Sequence, residues 1–354
     1  MTNRRAFLKN GAAAVAALAA APSLVSGCKS DKAASGSTLI VPKAAGLPIT
    51  GTFLDEISHD IPHQNWGEKE WDADFRYMKA IGITDVIDIR CGYRKWLTYP
   101  SPHLLKKGCF MPSTDLIDMF CRLAEKHGMR FWFGLYDTGV KYPEGASEDI
   151  DNNRFVIDEV WERYGSRYSS FAGWYLSKEF SRRQMGMIEA YRALGKQCKE
   201  VSGGLPTFIS PYMNGKKAVS AFGAELTKNT DSSIAEHERD WNEIFDGIHD
   251  FVDACAFQDG HIDYDELDAF FTVNKRLADK YGMQSWTNAE SFDRDMPIKF
   301  LPIKFDKLRL KLEAARRCGY DKAITFEFSH FMSPQSAYLQ ARHLYDRYRE
   351  YFGI

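Results

Sequence analysis

The chain has 354 residues, with 46 Lys and Arg against 48 Asp and Glu, a net charge of −2, and a high aromatic share of 14%. Charges of both signs are interspersed, which excludes the basic footprint of a nucleic-acid binder. The length suits one large domain behind a short leader.

The leader is read first. Asn3-Arg4-Arg5-Ala6-Phe7-Leu8-Lys9 has the form of a twin-arginine n-region, and an apolar run follows from Gly11 to Pro22. Val25-Ser26-Gly27-Cys28 then reads as a lipoprotein cleavage box with Cys28 acylated. The competing reading, a transmembrane anchor, needs ~20 apolar residues, and this run is shorter. The expected organisation is a signal peptide over 1–27, a lipidated tether over 28–45, and a folded catalytic domain over 46–354. Lipidation places such a chain on the cell envelope, anchored to a membrane rather than spanning it. Twin-arginine export accompanies either a bound cofactor or fast folding, and no cofactor is expected here.

Strand-like runs begin near Ile49, Thr84, Arg130, Phe171, Pro206, Val252, Gln284 and Lys322. Between them lie helical patterns. Leu116, Ile117, Phe120, Leu123 and Ala124 mark a buried stripe at 3.6 spacing, and Asp115, Asp118, Arg122 and Lys126 mark the polar one. Ser113 or Thr114 is the expected N-cap. Gly82, Gly128, Gly282 and Gly319 each stand where a helix ends in a left-handed residue, shortly before the next strand. Connections from strand to helix are long instead: Cys91 to Ser113, Tyr212 to Ala235, Ser291 to Pro302. Eight strand–helix units, elaborate loops on one face and no Gly-rich first turn predict a single-domain (β/α)8 TIM barrel rather than an open doubly wound sheet. The cysteines other than Cys28 (91, 109, 121, 198, 255, 318) form no C-x-x-C pair and no zinc pattern, so buried free thiols are expected.

Carboxylates close three of the strands: Glu179 the fourth, Glu290 the seventh, Glu327 the eighth. Side-chain alternation puts Glu179 on the face of Gly173, Tyr175 and Ser177, and Glu290 on that of Asn288 and Trp286. It puts Glu327 with Thr325 and Ala323, leaving Ile324 and Phe326 pointing outward. Glycoside hydrolysis needs two carboxyl groups flanking the scissile bond, one protonated and one ionised. Strands four and seven face each other across a barrel mouth, so Glu179 and Glu290 are the candidate acid/base and nucleophile. Asp55, Glu56, Arg90, Tyr93, Asp137, Tyr175, Tyr212, Gln258, Asp259, Trp286, Asn288 and Glu327 are the candidate substrate-binding residues. They are polar groups at strand ends, or aromatic rings on which sugar faces pack; Trp66, Trp96 and Tyr136 add to the rings.

The placement of Glu179 and Glu290 resembles the large clan of retaining barrel glycosidases, which implies a retaining mechanism with Glu179 as acid/base and Glu290 as nucleophile. The clan usually has Asn before its acid/base, whereas this chain has Lys178; Arg90 resembles the clan's arginine near the nucleophile. Gly51-Thr52-Phe53-Leu54-Asp55-Glu56, Trp66-Gly67 with Trp71, Met78 to Ile83, Gly173-Trp174-Tyr175-Leu176 and Phe257-Gln258-Asp259-Gly260 also resemble the bacterial domain of unknown function numbered 4434. That resemblance, over most of the mature chain, implies a barrel and a carbohydrate partner. Two other readings compete. A divalent-metal sugar isomerase or epimerase would use Glu179, Asp259, His261 and Glu327 as ligands, though no metal is expected. A non-catalytic lipoprotein would hold glycans in the same cleft. Phosphate loops, Ser-His-Asp hydrolysis and dinucleotide motifs are absent.

Overall fold

The computed structural model describes residues 44–58, 61–217, 232–294 and 300–354. The expected signal peptide, Cys28 and nearly all of the tether lie outside the described residues, as do the middle of the loop after Tyr212 and part of the loop after Ser291. No helix among the described residues is long and apolar enough to cross a membrane.

Eight parallel strands close into a barrel in chain order: β1 (Ile49–Leu54), β2 (Asp85–Asp88), β3 (Arg130–Gly134), β4 (Phe171–Tyr175), β5 (Thr207–Ile209), β6 (Ala254–Gln258), β7 (Gln284–Asn288) and β8 (Lys322–Thr325). Their pairing runs unbroken, and β8 returns to β1 through Ala323 beside Ile49 and Thr325 beside Thr52. Around them pack α1 (Glu68–Ala80), α2 (Leu116–His127), α3 (Ala146–Val160), α4 (Met187–Val201), α5 (Ile234–Ile248), α6 (Leu267–Lys280), α7 (Phe305–Arg317) and α8 (Leu339–Phe352). The expected glycines all take positive φ: 89° at Gly82, 62° at Gly128, 69° at Gly282 and 76° at Gly319. The cap of α2 differs from the expectation. Asp115 caps it, its Oδ1 accepting the Asp118 N–H at 3.0 Å, one residue beyond Thr114.

The barrel interior is aromatic. Phe53, Ile87, Trp132, Tyr175, Phe208, Trp286 and Ile324 form its plug, separate from the larger shell between strands and helices. Gly173 on β4 makes room for it, since a Cβ there would lie 2.3 Å from the Trp132 ring. Trp174, on the opposite face of β4, packs among Phe133, Phe171 and Trp161 in the outer shell, as alternation requires. At the floor, buried Asp85 accepts from Trp132 Nε1 (2.8 Å), Arg130 Nη2 (2.7 Å) and Lys322 Nζ (2.7 Å), tying β2, β3 and β8 together.

Two expectations fail here. Ile324 faces the interior plug and Ala323 the helix shell, so the alternation read for β8 is reversed. Trp286 is part of the plug, 4% exposed, with its Nε1 donating to Gln284 Oε1 at 2.9 Å and Lys322 Nζ 4.4 Å from the ring. It sits four residues before Glu290, about 13 Å down the strand, and cannot serve as a sugar platform.

Candidate active site

The strand ends that carry the site open on one side of the barrel, where the strand-to-helix loops are longest. A cavity of about 200 Å³ there is walled by Arg90, Glu179, Gln258, Asn288, Glu290 and Arg294 on its polar side. Ile61, Ile89, Phe292, Phe300, Phe326 and Phe331 supply an apolar side, with Ser58 at the edge.

Glu179 lies four residues past the end of β4 rather than on it. Tyr175 Oη, on the same face, donates to Glu179 Oε1 at 3.1 Å. Burial pushes the Glu179 carboxyl up; the charge of Arg90 and hydrogen bonds from Gln258 and Tyr175 pull the other way, and the net position is above the ordinary 4.5. Glu290 is buried too, but Arg294 grips it with two bonds, Nε to Oε2 at 2.8 Å and Nη2 to Oε1 at 2.9 Å. Burial would raise its carboxyl; the charge and hydrogen bonds of Arg294, then Lys311 and His261, outweigh burial and hold it below 4.5. The proton affinities of two glutamates in one cavity are thus displaced in opposite directions.

The flanking groups are held by the loops. Ser210 orients two amides: its carbonyl accepts from Gln258 Nε2 at 2.7 Å and its Oγ from Asn288 Nδ2 at 3.2 Å. Asn288 Oδ1 is buried without a protein partner. Arg90 Nη1 donates to Asp137 Oδ2 at 3.2 Å and its guanidinium lies 5.5 Å from the Tyr93 ring. Lys178, in the place of the clan's Asn, donates to Asp137 Oδ1 and the Val140 carbonyl, away from Glu179.

Of the expected site residues, Arg90, Glu179, Gln258, Asn288 and Glu290 wall the cavity, while Tyr93, Asp137, Tyr175 and Tyr212 stand behind them. Tyr212 pairs by backbone with Gln258, and burial and the charge of Glu179 raise its hydroxyl. Four expectations are corrected. Asp55 Oδ1 accepts the N–H groups of Ile57 and Ser58, making a turn, and Glu56 accepts that of Gln64. Asp259 is bonded to Lys311 Nζ at 2.7 Å, beneath Glu290. Glu327 is fully buried on the outer face of the β8 strand line, capping a short helix (Phe328–Phe331) through the N–H groups of Ser329 and His330 and bonding His330 Nδ1 at 2.5 Å. The residues of a metal-dependent reading (Glu179, Asp259, His261, Glu327) are therefore not gathered. Among the described residues no group of three or more His, Cys, Asp or Glu could hold a metal ion.

Arg294 and Lys311 were not expected. Arg294 sits in an irregular loop with no periodic signal. Lys311 does carry one: it falls on the buried stripe of α7 with Leu308, Leu312 and Ala315, where a lysine needs a buried partner.

The family model for a domain of unknown function, DUF4434, matches residues 49–338. The chain belongs to this family. No curated protein matches its sequence. This DUF4434 chain is similar to the crystal structure of a "putative alpha-L-fucosidase" from Bacteroides thetaiotaomicron, at 73% identity over 90% of this chain and 99% of that one, with a TM-score of 0.86. It also shares the barrel fold of glycoside hydrolases. An endo-1,4-beta-D-mannanase from Thermotoga petrophila aligns at 12% identity, covering 79% of this chain and 88% of that one, TM-score 0.53. An endo-1,4-beta-mannanase from Rhizomucor miehei aligns at 11%, covering 79% and 86%, TM-score 0.50.

Proposed function

We propose that this DUF4434 protein is a retaining glycoside hydrolase in which Glu179 is the general acid and Glu290 the nucleophile. The observation that carries this is the pair of carboxyls in one cavity with their proton affinities displaced in opposite directions. Paired carboxyls driven apart in this way take the acid and the ionised roles. Glu179 gives its proton to the leaving oxygen, and Tyr175 keeps the donor oriented. Glu290, ionised across the physiological range, attacks the anomeric carbon; Glu179, now a carboxylate, then takes a proton from the water that releases the sugar. Asn288 Oδ1 is a free acceptor for a sugar hydroxyl, and the Phe and Ile wall suits a face rich in C–H groups.

The 73%-identical structure makes an α-L-fucoside the first substrate to test, and a methyl-bearing deoxysugar fits the apolar wall. For location we propose export through the Arg4-Arg5 leader over 1–27 and lipid anchoring at Cys28 by the tether over 28–45, on the periplasmic or outer side of the envelope. The motifs quoted above support that reading.

The test is a panel of 4-nitrophenyl glycosides, the α-L-fucoside first, with wild type, Glu179→Gln and Glu290→Ala. General acid catalysis contributes about 10²–10⁴-fold, so Glu179→Gln loses that much in kcat/KM on alkyl glycosides, added to the panel for their poor leaving groups. Glu290→Ala stops turnover, and proton NMR of the first-formed sugar shows the substrate's anomer. Equal turnover by wild type and Glu290→Ala refutes the assignment, and glycan binding with no turnover of any substrate returns the protein to a capture role.

A further inference from the structure

Glu290 is held from below as well as from the side. Its N–H donates to Asp259 Oδ1 at 3.1 Å, and its carbonyl accepts from Lys311 Nζ at 3.2 Å. Lys311 Nζ also donates to that same Asp259 oxygen at 2.7 Å, so the three groups close a ring around the backbone of residue 290. Both side chains are almost wholly shielded, at 5% and 0% exposure. Gly260 completes the enclosure. A Cβ there would lie 1.9 Å from Glu290 Oε2, 2.4 Å from its Cδ and 2.6 Å from Arg294 Nε. The demand at Gly260 is for space, because a methyl group would occupy the position of the carboxylate itself.

We propose that Asp259, Gly260 and Lys311 are positioning residues that fix where the Glu290 carboxylate sits, coupling α7 to the cavity. This rests on reading Glu290 as the reacting carboxylate. Folding alone does not ask for such a pair, since well-packed apolar side chains can replace a buried ion pair without loss of stability. The ring costs two desolvated charges and returns a residue pinned at both its N–H and its C=O. Among the described residues, the charged or titratable groups around Glu290 include Arg294 from its own loop, Lys311 from α7, and Asp259 and His261 from the segment after β6, with Arg90 and Glu179 on the wall of the same cavity. Lys311 both anchors the backbone and favours the anion.

The experiment uses the full chain labelled with ¹³C-glutamate, the Glu290 carboxyl being assigned by Glu290→Gln. Midpoints are followed in wild type, Gly260→Ala, Lys311→Met and Lys311→Arg, with thermal melts and 4-nitrophenyl α-L-fucoside kinetics alongside. Lys311→Met raises the Glu290 midpoint by about one unit, and Lys311→Arg restores most of it. Gly260→Ala remains folded and lowers kcat about 100-fold with KM within about threefold, as expected for a reacting group displaced by an ångström. Folded Gly260→Ala and Lys311→Met proteins with wild-type Glu290 midpoints overturn the proposal, whatever their melting temperatures. Full turnover by Glu290→Ala, or none by wild type, instead defeats the catalytic reading, and the midpoints still decide whether the ring governs the carboxylate.

Discussion

Replacing Arg294 by Met removes both bonds to Glu290 while keeping an apolar stem near Phe292 and Phe300, over whose rings the guanidinium lies at 4.7 and 5.7 Å. A hydrogen bond to a charged group contributes about 1.5–3 kcal/mol, and about 1.4 kcal/mol corresponds to one pKa unit. Taking about 3 kcal/mol for the two-point grip, its loss raises the Glu290 carboxyl by about two units. Starting from below 4.5, the carboxyl then titrates higher by that amount, burial prevailing over the remaining help of Lys311 and His261. If Glu290 must be ionised to react, the acid limb of kcat/KM moves up by the same two units or so. The mutant then loses more rate at pH 5 than at pH 8, relative to wild type. The assay is a profile of kcat/KM from pH 4 to 8 on the first 4-nitrophenyl glycoside turned over, with melts at each pH to show that the protein is folded. An acid limb that stays in place in folded Arg294→Met refutes the reasoning.

Glu179→Gln is expected to lower kcat/KM on substrates with poor leaving groups and little on 4-nitrophenyl ones, because the latter need no proton in the first step, while kcat falls for both through the shared second step; a kcat/KM deficit uniform across leaving groups counts against the acid role. His330 is pushed down by burial but raised further by the charge and hydrogen bond of Glu327, to about 9 from 6.5. Its contribution is therefore complete below pH 6.5 and lost as pH rises through about 9, so the melting temperature falls over that window and His330→Gln flattens the fall. Glu290, held below its ordinary value, works in the opposite sense: its contribution is present above 4.5 and lost as pH falls through the folded value, which melts of Glu290→Gln below pH 5 report. Trp286→Phe lowers the melting temperature, since the bond to Gln284 and the Lys322 contact go, yet leaves kcat/KM within about threefold, as befits a large core side chain exchanged for a smaller one.

The barrel was legible because its signals are local: apolar runs at strand length, stripes at helical spacing, and glycines such as Gly128 and Gly282 where the chain must turn left-handed. Alternation also carried the site where an interior ring fixes the parity. Tyr175 points inward and so does Glu179; Asn288 points inward and so does Glu290. It failed at β8 because a parallel strand is apolar on both faces. Ala323 meets helices and Ile324 fills the space over Gly51, so counting back from Glu327 chose the wrong side. The same outward parity explains why Asp259 meets Lys311 instead of a ligand. Arg294 was hidden for another reason. Its partner is decided by the path of a loop, and no periodicity describes that path.

The two indoles of Trp132 and Trp286 lie 5.6 Å apart at 85° inside the plug. Chromophores so close and so nearly perpendicular couple their transitions, giving the barrel an optical signature that depends on β3 and β7 remaining opposite each other. Circular dichroism in the indole bands thereby carries a contribution from the closed cylinder, beside those of Trp66 with Trp71 and Trp161 with Trp174 in the outer shell, and the part lost in Trp286→Phe is the cylinder's own.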